Sequence, residues 1–433
     1  MSRLRKLMEG LCPDGVEYKK LGEIGNFYNG LTGKKKEDFT GGNAIFISYM
    51  NVYSNSAINI DINDRVRIRE NEKQNTIQYG DIIFTGSSET PDECGVSSVL
   101  VKHTEQKLYL NSFCFGYRFN DAAMFLPDFT KHLFRSAELR HQIIKTANGV
   151  TRFNVSKKKM ETVRIPVPPL EIQREIAHML DNFAELTAEL TAELALRKKQ
   201  YNFYRDSLLN FVRMDDTIVR TDRQTQRISK FGRRIQKDIV WRTLGDIGTV
   251  CMCKRILKQQ TNTESGIPFY KIGTFGKAAD SYISEELFEE YKAKYSYPRK
   301  GEILISAAGT IGRTVIYDGA PAYFQDSNIV WIANDESVVL NRYLYYFYSL
   351  FPWSVAEGGT VARLYNDQIR RTEIPIPPLE VQQKIVSILD RFDALCNDLT
   401  NGLPAEIAAR KKQYEHYRDR LLTFPRSKLE ERS

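Results

Sequence analysis

One nine-residue stretch occurs twice in this chain. Ile165-Pro166-Val167-Pro168-Pro169-Leu170-Glu171-Ile172-Gln173 returns as Ile374-Pro375-Ile376-Pro377-Pro378-Leu379-Glu380-Val381-Gln382. Two further pairs keep the same order around it. Leu21-Gly22-Glu23-Ile24-Gly25 matches Leu244-Gly245-Asp246-Ile247-Gly248, and Arg197-Lys198-Lys199-Gln200-Tyr201 matches Arg410-Lys411-Lys412-Gln413-Tyr414. Motifs that recur in order mark an internal duplication, so one unit has to be built twice. Such a pseudo-dimer suits a ligand or partner that itself comes in two halves.

Each copy opens with a variable stretch in which Val and Ile runs are punctuated by Gly. Ala44–Tyr49, Asp81–Thr85 and Glu302–Ser306 read as strands, and the class expected is α+β. A Pro-rich hinge follows, which cannot be helix interior and imposes an extended entry. A long helix comes next. In the first copy apolar residues step by four and three through Ile176, Leu180, Phe183, Leu190, Leu194, Tyr201, Tyr204, Leu208 and Phe211. Pro169–Phe211 as one helix would span roughly 65 Å. The second helix carries Ile385, Leu389, Phe392, Cys396, Leu399 and Leu403, with a break expected at Pro404. A helix so long needs a partner for its apolar stripe, and symmetry pairs the two antiparallel. The expected divisions are a mixed domain at 1–164, hinge and first helix at 165–211, and a basic linker at 212–239. A second mixed domain at 240–373, hinge and second helix at 374–424, and a frayed tail at 425–433 complete the chain.

Composition narrows the function. At 433 residues the chain exceeds one ordinary core. Net charge is +8, from 62 basic and 54 acidic residues, a modest excess compatible with nucleic acid. No CxxC pair occurs, so the six cysteines read as reduced thiols in a cytoplasmic protein. No signal peptide and no membrane span are expected.

Catalytic patterns mostly fail. Gly30-Leu31-Thr32-Gly33-Lys34 lacks the first Gly and the final Ser or Thr of a phosphate loop, and no GxGxxG follows a strand. Asp92, Glu105 and Lys107 follow the spacing of a metal-dependent nuclease, but the second copy has no equivalent. Binding chemistry is better represented. Ser87, Ser88 and Thr90 lie in one polar loop, and Thr151, Arg152 and Asn154 in another. Thr310 and Arg313, then Thr360, Arg363 and Asn366, hold the corresponding places in the second copy. Arg suits guanine, Asn suits adenine, and Ser or Thr suits bases or phosphates. Lys34, Lys35 and Lys36, with Lys254 and Arg255, are candidates for phosphate contacts.

A variable domain, an IPxPPLExQ hinge and a long helix ending RKKQYxxYRDxLLxF, all repeated once, resemble the specificity subunit of type I restriction–modification systems. The tandem Thr187-Ala188-Glu189-Leu190 and Thr191-Ala192-Glu193-Leu194, with Gly402-Leu403-Pro404, resemble the IC-type branch. The resemblance implies two target-recognition domains that read the halves of a bipartite, asymmetric DNA site. It implies docking of two modification subunits that use S-adenosylmethionine to methylate adenine. Through them restriction subunits would join, using ATP and Mg. It implies no catalysis, no metal and no cofactor in this chain. On this reading Pro168, Pro169, Gln173, Leu190, Leu194, Tyr201 and Tyr204 serve docking or spacing, as do Pro377, Pro378, Gln382, Tyr414 and Tyr417 in the second copy. The alternatives are a protein-binding coiled-coil scaffold and a stand-alone nuclease.

The tandem four-residue repeat also makes a prediction. One more Thr-Ala-Glu-Leu unit lengthens a helix by roughly 6 Å, between one and two base-pair steps. Methylome mapping of such a variant should find the unspecified gap longer by about one base pair and both half-sites unchanged. An unchanged gap would remove the ruler.

Overall fold

The computed structural model describes residues 2–211, 239–354 and 363–427. The segment expected as a basic linker lies outside them, except for Ile239. Two units result. The first comprises Met1–Thr191 with Glu406–Ser433, and the second Ala192–Ala405.

Both units contain the same four-stranded antiparallel sheet. In the first its order is Gly25–Asn29, Cys114–Phe119, Ile82–Thr85, Ser97–Val99. In the second it is Thr249–Cys251, Ile329–Ala333, Ile303–Ser306, Thr314–Ile316. A second sheet is built on a parallel pair. Ala44–Ile47 lies beside Leu108–Leu110 in the first unit, and Ile267–Tyr270 beside Tyr323–Phe324 in the second. The apolar runs expected as strands are explained by this layering. Successive strand residues face opposite ways. Ile82 and Phe84 therefore enter the core shared with the helices, while Ile83 enters the core under the second sheet. Ile303 and Ile305 against Leu304 repeat the arrangement.

The duplicated motifs are the joints of this frame. Leu21–Ile24 and Leu244–Ile247 form one-turn helices leading into the edge strands. A Cβ on Gly25 would lie 2.4 Å from the Arg118 carbonyl oxygen, and one on Gly248 2.1 Å from that of Ala333. Only glycine fits there. The Pro-rich segments begin as strands. Arg164–Pro166 pairs with Tyr18–Lys20, and Glu373–Ile376 with Val240–Thr243. Val167 N–H donates to the Glu17 carbonyl. The prolines at alternate positions fall where a two-stranded ribbon needs no donor.

The next motif residue lies inside. Gln173 and Gln382, expected to serve docking or spacing, are fully buried. The Gln173 side-chain oxygen accepts from Leu126 N–H at 2.9 Å, and its nitrogen donates to the carbonyls of Met124 and Pro168. Gln382 does the same with Leu340 N–H and the carbonyls of Val338 and Pro377. Each glutamine fastens its helix to a loop of its own unit. Pro168 and Pro377 are buried beside it.

The long helix runs Leu170–Leu209, and the second is divided into Leu379–Asn397 and Leu403–Leu421. The division precedes Pro404, which stands in the first turn of the later helix, where its missing N–H costs nothing. Leu399, expected on the apolar stripe, lies in the gap and is 80% exposed. In the first unit Phe183 stacks on Tyr417 at 5.1 Å. In the second, Tyr201 and Tyr204 meet Phe392, while Leu208 and Leu209 share a core with Ile385 and Leu389. The partners run antiparallel. Leu190 and Leu194 are half-buried. The start of the tail is not frayed, because Val16 N–H donates to the Pro425 carbonyl and Ser427 N–H to that of Val16.

A titratable joint lies in the first unit. His132 accepts from the Tyr414 hydroxyl at Nδ1 and donates from Nε2 to Asp181, each at 2.8 Å, in the tautomer that satisfies both. Burial pushes the imidazole below its ordinary range, against the pull of Asp181. Burial alone would raise the Asp181 carboxyl, but hydrogen bonds from His132 and Lys131 bring it below the usual range. Both groups bind fewer protons folded than unfolded. Their stabilisation is therefore present above the ordinary histidine range and is lost as pH falls, through His132 first and Asp181 later. The first unit should melt at a lower temperature at about pH 5 than at about pH 8. His132→Gln should flatten that difference, as read by hydrogen exchange of the helix Pro127–Leu133.

Candidate nucleic-acid interface

Four predicted residues of the first unit converge. Strand Ser87–Ser88 pairs with Phe153–Val155, which brings the loop after Ile82–Thr85 against the loop before the Pro-rich ribbon. A cleft of about 750 Å³ opens between them. Ser87, Ser88, Thr151 and Arg152 line it, together with Tyr49, Glu89, Glu93 and Phe113, which the sequence did not single out. Tyr49 follows one strand of the parallel pair and Phe113 follows the other. The cleft thus sits where both parallel strands end.

Arg152 donates to the Ser87 hydroxyl from Nε at 3.3 Å and lies 5.8 Å from the centre of the Phe113 ring. Phe113 is 58% exposed despite its size. Tyr49 donates to the Ser87 carbonyl at 3.0 Å and stacks with Tyr53. Thr90 and Asn154 are exposed at the margin. Val150, 91% exposed, is at the tip of the hairpin formed by Ala147–Asn148 and Phe153–Val155.

The second unit repeats the construction. Ala308 bridges Arg363 as Ser88 bridges Phe153. Arg363 donates to the Ser327 carbonyl at 2.8 Å, in the loop after the parallel strand Tyr323–Phe324. That loop corresponds to the one carrying Phe113. Arg313 N–H donates to the Ser306 hydroxyl, which donates to the Thr310 carbonyl, and the Arg313 guanidinium reaches the Phe275 carbonyl. Asn366 opens the helix Asn366–Arg371. Thr360 lies outside the described residues.

The lysines divide. The Lys34 ammonium is 5% exposed, pairs with Glu72 at 2.5 Å and donates to the Arg67 carbonyl, so it is spent inside the unit rather than offered to a phosphate. Lys35 and Lys36 are exposed. Arg255 is exposed although paired with Asp326 at 2.9 Å, and Lys254 lies over the Tyr295 ring at 5.1 Å. Among the docking candidates, Tyr414 and Tyr417 are engaged by His132 and Phe183, while Pro169 is half-buried and Pro378 exposed. Among the described residues no three His, Cys, Asp or Glu gather to hold a metal. No helix of the described residues is long and apolar enough to cross a membrane.

Comparison with known proteins agrees with this geometry. A family model described as the type I restriction modification DNA specificity domain matches residues 13–196 and again 236–409. A protein of Haemophilus influenzae named as a type I restriction enzyme specificity subunit is 53% identical, over 64% of this chain and 68% of its own length. The EcoR124I/EcoR124II specificity subunit of Escherichia coli is 32% identical, over 63% of this chain and 65% of that protein. Two solved structures share the fold. One is the S subunit of a type I restriction–modification system from M. genitalium, with TM-score 0.52 and 15% identity, covering 94% of this chain and 96% of that one. The other comes from work on the assembly of the type I system, with TM-score 0.57 and 18% identity, covering 95% and 98%. The chain belongs to the type I restriction–modification DNA specificity family. Members contribute DNA recognition to such systems as non-catalytic subunits.

Proposed function

We propose that each unit reads one half of a bipartite, asymmetric site in double-stranded DNA. The chain also carries two modification subunits, which hold S-adenosylmethionine and methylate adenine. Restriction subunits with ATP and Mg join through them. The observation behind this reading is the pairing of one frame with two sets of loops. Sheet order, glycine contacts and buried glutamines agree between the units, whereas the loops at the corresponding places differ in sequence. A shared frame with divergent loops suits two unlike half-sites. The exposed Lys35, Lys36, Lys254 and Arg255 are suited to sequence-independent phosphate contacts. Long-read mapping of methylated adenine in a host carrying this chain and its modification partner tests the proposal. A two-part motif with an unspecified gap is expected, and it should vanish when this chain alone is deleted. Methylation that persists without the chain would overturn the reading.

A further inference from the structure

The connection that lines the first cleft differs in charge from its counterpart in the second unit. Between Ile82–Thr85 and Ser97–Val99 the connection holds Glu89, Asp92 and Glu93. The corresponding connection, between Ile303–Ser306 and Thr314–Ile316, holds no acidic residue and ends on Arg313. Carboxylates beside DNA are repelled by its phosphates and weaken binding to any sequence. A base edge that donates a hydrogen bond can reverse that penalty. In the major groove the donors are the exocyclic amino groups, N4 of cytosine and N6 of adenine.

Glu93 is held ready for such a contact. The Tyr53 hydroxyl donates to one of its oxygens at 2.7 Å, and the Ser88 hydroxyl to the other at 3.2 Å. Tyr53 is in turn stacked on Tyr49 of the cleft wall. Hydrogen bonds from Tyr53, Thr90 and Ser88 hold the carboxyl below its usual range, so it is ionised at neutral pH. Each oxygen keeps a further lone pair. Among the described residues neither Glu89 nor Glu93 makes an ion pair, and Arg152 in the same cleft is oriented by Ser87 and Phe113. The side chain is exposed, oriented and charged, and its only fixed partners are hydroxyls.

We infer that Glu93 determines specificity in the first unit, accepting a hydrogen bond from the exocyclic amino group of a cytosine or adenine in the half-site read there. The inference rests on the DNA-reading function proposed above.

The test uses the assembled complex with its modification subunits and a duplex carrying the mapped motif. Glu93→Gln removes the charge and keeps the shape. Its preference for the cognate over a non-cognate duplex should fall about tenfold, while its affinity for the non-cognate duplex rises because a phosphate-repelling charge is gone. In the methylome one position of one half-site should relax, with the other half and the gap unchanged. Duplexes in which purine replaces adenine, or 2-pyrimidinone replaces cytosine, locate the amino group. At the read position the replacement should cost the wild type about tenfold and Glu93→Gln less, because its amide oxygen still accepts but carries no charge. Tyr53→Phe, which keeps the carboxylate and frees it, should shift the preference in the same direction by less, and it carries the test if Glu93→Gln does not assemble. An unchanged preference, or amino-lacking duplexes that penalise both proteins alike, overturns the assignment. A wild-type complex with no bipartite motif would instead defeat the functional reading itself.

Discussion

Gln173→Ala is expected to destabilise the first unit by roughly 3–5 kcal/mol. The substitution leaves the Leu126 amide and the carbonyls of Met124 and Pro168 without their partner, and it leaves a void where a fully buried side chain stood. An unpaired buried donor or acceptor costs about 1–3 kcal/mol, and three groups lose their partner together. Gln382→Ala should do the same to the second unit through Leu340, Val338 and Pro377. The three tryptophans, Trp241, Trp331 and Trp353, all belong to the second unit. Tryptophan fluorescence therefore reports that unit, while hydrogen exchange at Leu126 reports the first. Gln173→Ala should speed exchange at Leu126 and leave the fluorescence transition in place, and Gln382→Ala should do the reverse. A mild, equal effect of both substitutions on both readouts would show that the glutamines are not the fasteners of separate joints.

Arg152→Ala and Arg363→Ala should each damage one half-site and spare the other. Both arginines hold the same place in the frame, and both contact the loop that follows a parallel strand. Each retains guanidinium donors beyond the contact that orients it. A guanidinium contact to a base edge discriminates by about 1–3 kcal/mol, or roughly 5- to 150-fold. Binding of the assembled complex to duplexes altered in one half-site at a time should show this loss confined to the matching half. A loss spread evenly over both halves would make the arginines phosphate contacts, and the salt dependence of binding would fall with it.

Much of the frame was legible beforehand. Clustered prolines demand an extended entry, and apolar residues stepping by four and three demand a long paired helix. Of the loop before the first ribbon, Thr151 and Arg152 line the cleft. Tyr49, Glu93 and Phe113 escaped notice, since they reach the cleft from segments far apart in the chain whose motifs are not duplicated. The exposure of Phe113 and the orientation of Glu93 exist only once the parallel pair forms. Lys34 erred in the other direction. As the first of three lysines it reads as a free charge, and only the fold brings Glu72 to it.

Duplication, the long helices, the class of fold and the family all follow from residue order alone, because periodicity and repeated motifs act over short distances along the chain. The fate of a polar side chain does not. Gln173 and Gln382 carry the same label in the sequence as any surface glutamine, yet they are the most completely enclosed polar groups of their joints. Whether such a group faces water or a backbone carbonyl depends on segments that are remote in sequence, and burial charges a full desolvation penalty unless those segments supply partners.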